Sequence, residues 1–103
     1  MTPESVVATQ INDWFKELKQ QGFPLLLFRR QAGGFSYKKG LPDYYGSFNG
    51  RHFELETKKY DGEQSVMQQK WQKIFEENGD MYFLANDFNS FKEQFIEFIY
   101  KNV

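Results

Sequence analysis

The chain has 103 residues, a net charge of −1 and no cysteine. That length makes one domain, residues 1–103, burying roughly two-thirds of its unfolded surface. The absence of cysteine excludes disulfide scaffolds and zinc–thiolate sites, and no leader or apolar run of membrane length is visible, so the expectation is a cytoplasmic protein without membrane contact.

Thr2 as cap and Pro3 at the first helical position predict a helix over residues 3–21, with Val7, Ile11, Trp14 or Phe15, and Leu18 on one face and Gly22 as its stop. Glu4 falls in the first turn, where it either complements the helix dipole or serves a site. The apolar run 25–30 predicts a first strand covered on both faces. Residues 31–39, QAGGFSYKK, read as a loop in which Phe35 and Tyr37 touch bases or sugars while Lys38 and Lys39 hold phosphates.

Asn49-Gly50 between two alternating runs predicts a hairpin, because both central positions of a type I′ turn need positive φ. Its strands run over about 44–48 and 51–58. In the second, Phe53, Leu55 and Thr57 take the core face, and Glu54, Glu56 and Lys58 take the other. Pro42 holds the preceding chain extended and sets Asp43 at the mouth of the hairpin. His52, beside the turn, reads as a surface residue without catalytic partners.

Ser65 and Gln68 match a capping box that opens a second helix. The Gln68 amide therefore either reaches back to the Ser65 N–H or points into a site. Met67, Trp71, Ile74 and Phe75 form its apolar stripe, read as core, and Asn78-Gly79 ends it. Residues 81–85 predict a fourth strand. A further capping-box pattern at Ser90 predicts a last helix to about Tyr100, with Phe91, Phe95, Phe98 and Ile99 inward and Ile96 and Tyr100 free for a dimer contact. Aromatics make up 19% of the chain, with 12 Phe, so some are expected to cover a partner surface. The whole reads as an α/β fold in the order αβββαβ plus a C-terminal helix. Strands three and four should run parallel through the second helix.

Asp43, Glu56 and Lys58 on one hairpin carry a definite chemistry. Two converging carboxylates suit a hard cation such as Mg²⁺. Such a cation polarises a phosphodiester and generates a hydroxide, and a lysine orients the water or offsets developing charge. Charge distribution points the same way. Residues 29–59 hold seven basic side chains against three acidic, a net of +4, whereas the rest holds six against eleven, a net of −5. A basic zone of this kind suits a phosphate backbone.

Pro42-Asp43 followed by Glu56-Thr57-Lys58 resembles the PD-(D/E)XK nuclease signature. The wider pattern of Gly40-Leu41-Pro42-Asp43, Gly46, Asn49-Gly50-Arg51, Gln68 and Trp71 is similar to the VRR-NUC family of small phage and repair-associated nucleases, over nearly the whole chain. The resemblance implies a restriction-endonuclease-like core, a mixed β-sheet flanked by helices, and a Mg²⁺- or Mn²⁺-dependent deoxyribonuclease. It implies metal ligands at Asp43, Glu56 and the Thr57 carbonyl, a catalytic Lys58, and support from Gln68 and Glu4. Glu54 departs from the family, which often has a small residue there; it either tunes the metal or faces water. With Arg29, Arg30, Phe35, Tyr37, Lys38, Lys39 and Lys59 around the site, the expected partner is DNA. The expected cutting is structure-selective, on a Holliday junction or other branched DNA, by a homodimer. The competing reading is a non-catalytic DNA-binding or assembly module on the same fold.

Overall fold

The computed structural model describes residues 3–30 and 39–103. Helix α1 (Glu4–Gln20) leads into β1 (Leu25–Arg29), β2 (Tyr44–Phe48) and β3 (Arg51–Thr57). Helix α2 (Val66–Glu77), β4 (Met81–Ala85) and α3 (Phe88–Lys101) follow. The sheet order is β1-β2-β3-β4, antiparallel except for the parallel β3–β4 pair joined through α2. This is an α/β architecture, a four-stranded mixed sheet flanked by helices. Asn49 and Gly50 both have positive φ, 50° and 82°, as a type I′ hairpin requires.

Pattern and burial explain the layers. Phe53, Leu55 and Thr57 of β3 and Phe83 and Ala85 of β4 face one side and are buried there with Phe15 of α1 and Phe91, Phe95 and Phe98 of α3. Phe95 is central, with ring centroids 4.8 Å from Phe15, 5.3 Å from Phe53 and 5.4 Å from Phe83. Seven of the twelve phenylalanines are buried, and Phe23 and Phe88 pack against them. The aromatic surplus is thus mostly core. Edge-to-face ring packing lets one small domain absorb it.

Four element expectations are corrected. β1 is an edge strand, and its run is covered on one face only: Leu25 is buried, but Leu26 and Phe28 are 51% and 49% exposed. The physical reason is that α2 packs on β4, at the opposite edge from β1. Helix α2 itself has no buried residue. Trp71 and Phe75 are half-buried, while Met67 and Ile74 of the expected stripe are exposed. Helix α3 starts a turn before Ser90, because the Asp87 carboxylate accepts the Ser90 N–H at 2.8 Å and is the cap. At the first helix Pro3 is the cap residue, and Thr2 lies outside the described residues.

Gly46 of β2 leaves no room for a side chain against β1. A Cβ there would sit 2.1 Å from the Leu26 carbonyl oxygen and 2.8 Å from Phe53 Cζ. Gly46→Ala is therefore expected to cost at least ~1–3 kcal/mol, read as a lower urea midpoint, because the neighbour is backbone and cannot rotate away.

Candidate active site

The site forms where β2 begins and β3 ends. Asp43 stands one residue ahead of β2. Its backbone carbonyl accepts from the Arg30 N–H at 2.7 Å. Glu56, 1% exposed, lies at the far end of β3 on the sheet face toward α2. Burial, then a hydrogen bond from its carboxyl to Asp43, then the Asp43 charge, push the Glu56 carboxyl up to about 9. The Lys58 charge acts in the opposite direction. Near neutral pH the Glu56 carboxyl therefore keeps its proton, which faces Asp43.

Two supports reach this pair. The Thr57 hydroxyl lies 3.2 Å from Asp43 Oδ2 and 3.4 Å from Glu4 Oε1. Its single proton bridges the first helix to the hairpin, and Glu4 is drawn to the site. Gln68 resolves the alternatives in its amide. Its Oε1 accepts the Ser65 N–H at 2.8 Å, completing the capping box, while its Nε2 donates to Glu56 Oε1 at 2.9 Å. The cap thus fixes which end of the amide faces the carboxylate. Helix α2 is also tied to the chain before Asp43. Trp71 Nε1 donates to the Lys39 carbonyl at 2.9 Å, and a Cβ on Gly40 would sit 2.6 Å from the Met67 backbone.

The alternation of β3 is as expected, but the second face is not wet. Glu54 is 0% exposed. Its Oε1 accepts from Arg30 Nη1 at 2.6 Å, and His52 Nε2 pairs with its other oxygen. Arg30 also donates to the Pro42 carbonyl at 3.0 Å and lies over the Tyr45 ring at 4.9 Å. So Glu54 neither faces water nor joins Asp43. His52 has an acidic partner, and Arg30 is committed to holding the Pro42–Asp43 turn. The clue in the sequence was the His52, Glu54, Glu56 spacing of two, which puts all three on one strand face.

Of the other residues expected at DNA, Arg29 is exposed beside the site. Lys39 and Lys59 are also exposed, and Lys59 faces Asp61 at 3.8 Å. Phe35, Tyr37 and Lys38 lie outside the described residues. Ile96 and Tyr100 stand exposed on α3. The Tyr82 hydroxyl, missed in the sequence, accepts from Gln64 Nε2 at 3.1 Å; burial, then the Glu56 charge, push its pKa up.

Among the described residues no three His, Cys, Asp or Glu side chains are arranged to hold a metal ion. A two-carboxylate site nonetheless fits Mg²⁺, which takes one or two carboxylates and keeps its remaining waters. A cation here would replace the proton that Glu56 keeps. The Thr57 carbonyl is the third candidate donor. A polar cleft of about 700 Å³ opens from Glu4, Asp43 and Thr57 along α1.

No protein-family model matches the chain, and neither does any curated protein or any solved structure. Among the described residues no helix is long and apolar enough to cross a membrane.

Proposed function

We propose that this chain is a metal-dependent DNA endonuclease of the PD-(D/E)XK kind, with a VRR-NUC-like arrangement. The observation that carries the reading is the Asp43–Glu56 pair. Ionising the buried Glu56 carboxyl beside Asp43 is costly unless a cation sits between them, and the Lys58 charge acts on it. Asp43 and Glu56 would hold Mg²⁺ or Mn²⁺. When bound, the ion polarises the phosphodiester and lowers the pKa of a water.

The chain's own groups do the rest. Gln68 keeps one Glu56 oxygen hydrogen-bonded, so the carboxylate cannot rotate away from Asp43. The Thr57 hydroxyl does the same for Asp43. Lys58 supplies fixed positive charge near the scissile phosphate. DNA is the proposed substrate. Branched forms such as a four-way junction are favoured over a specific sequence, because among the described residues no helix presents a row of base-reading side chains. A homodimer through α3, with Ile96 and Tyr100 exposed, would supply two sites for paired cuts.

The test is cleavage of labelled four-way junction, flap and linear duplex DNA in Mg²⁺, Mn²⁺ or EDTA. Metal-dependent cutting that falls by ~10²–10³-fold in Lys58→Ala is the expected result. Binding without cutting in any metal would overturn the enzyme reading in favour of a DNA-binding module.

A further inference from the structure

The cleft along α1 lies on the side of the Asp43–Thr57 end away from α2. Its inner end is formed by Glu4, Asp43 and Thr57, and its lining continues past Thr9 and Asn12 to Lys16, with Arg29 contributing from β1. From Glu4 to Lys16 the helix rises about 18 Å. We propose that this cleft is the track for an unpaired nucleic-acid strand entering the carboxylate site, with Lys16 and Arg29 holding its phosphates. The inference rests on the nuclease reading and, among its branched substrates, selects those that carry an unpaired strand.

Three observations carry it. First, size: about 700 Å³ lies in the range of clefts that enclose a small ligand, roughly 300–1,000 Å³, which suits a short stretch of single strand. Second, availability of charge. Several cations elsewhere have partners: Arg30 at Glu54, Arg51 at the Gly79 carbonyl, Lys73 at Glu77, Lys101 at Glu97, and Lys92 over Trp14. Among the described residues Lys16 and Arg29 have no side-chain hydrogen bond, ion pair or ring contact. Third, the donors between them are spent on the helix itself. Asn12 Nδ2 donates to the Ala8 carbonyl and Thr9 Oγ1 to the Ser5 carbonyl, both at 2.9 Å. Asn12 Oδ1 is left as an acceptor for base or sugar groups, so phosphate contact falls to Lys16 and Arg29.

Charge sets a condition on this binding. Glu4, Asp13 and Asp43 line the cleft against Lys16 and Arg29, three negative charges against two positive. A polyanion is repelled from the inner end until a divalent cation sits at Asp43 and Glu56. Strand binding in the cleft is therefore metal-dependent, unlike ordinary attraction to a basic surface.

The experiment is anisotropy of a labelled single-stranded oligonucleotide, and of the matching duplex, on the full chain in Ca²⁺ or in EDTA, with Mg²⁺ cleavage measured alongside. Lys16→Ala, Arg29→Ala and, as a control on α2, Lys73→Ala are compared with wild type. All three positions are exposed, and thermal melting confirms that each variant folds. Expected are at least tenfold tighter single-strand binding in Ca²⁺ than in EDTA, several-fold weaker binding in Lys16→Ala and Arg29→Ala, and a salt slope lower by about 0.7 in each. Lys73→Ala should match wild type. Equal binding in EDTA, duplex bound more tightly than single strand, or Lys16→Ala and Arg29→Ala indistinguishable from wild type would each overturn the track. If cutting in Mg²⁺ persists in those cases, the nuclease reading stands without it. If wild type neither binds nor cuts, both fall.

Discussion

Replacing Glu56 with glutamine is expected to stabilise the metal-free protein at pH 8 by a few kcal/mol while reducing metal-dependent cleavage by at least ~100-fold. Glutamine keeps the shape, can accept from Gln68 and can donate to Asp43, yet carries no proton to lose. The sign follows from the carboxyl's values. Its pKa is about 9 when folded against an ordinary value of 4.5. A group raised on folding contributes stability that is fully present below about 4.5 and is lost as pH rises toward 9. Thermal melts in EDTA from pH 5 to 9 should show the wild type falling across that window. Glu56→Gln should lack that component of the slope. Mg²⁺ at pH 8 should then restore the wild type more than the variant, since a ligand stabilises only the state that binds it. Parallel pH slopes for the two proteins would remove the proton on Glu56 from the account.

Arg30→Ala is expected to cost ~3–5 kcal/mol, the usual penalty for stranding one partner of a buried ion pair. Glu54 has no exposure to solvent, so its carboxylate would keep only the His52 contact on one oxygen. The same change removes the bond to the Pro42 carbonyl, so the Asp43 turn loosens with it. Urea unfolding reads the loss. Arg30→Met combined with Glu54→Leu should recover most of it, because an apolar pair of similar volume leaves no charge unpaired. A single Arg30→Ala variant as stable as wild type would mean that Glu54 is satisfied another way.

Much of this was legible from local pattern. The hairpin at Asn49-Gly50, the Ser65 cap, the strands and the parallel β3–β4 pair follow from turn chemistry and periodicity, which act over a few residues. The choice at Gln68 was not legible, because a capping box and a site contact looked exclusive when each was read alone. In space one amide does both, its two ends being 2.8 and 2.9 Å from their partners. Burial of the second face was also hidden. Glu54 and Glu56 alternate as a solvent face would, and only the position of α2 and the reach of Arg30 across to β3 show that the face is covered.

The sequence by itself determined the element order, the inward face of β3 and the nearness of Asp43 to the strand that carries Glu56 and Lys58. These depend on short-range geometry, namely the pleat, the turn and a proline. Only the tertiary structure decided that Glu56 keeps a proton, that Arg30 serves Glu54 and that a cleft with two uncommitted cations leads into the carboxylates. Each of those depends on desolvation and on partners brought together from distant parts of the chain, such as Glu4 and Thr57 or Arg30 and Glu54, and no local spacing encodes them.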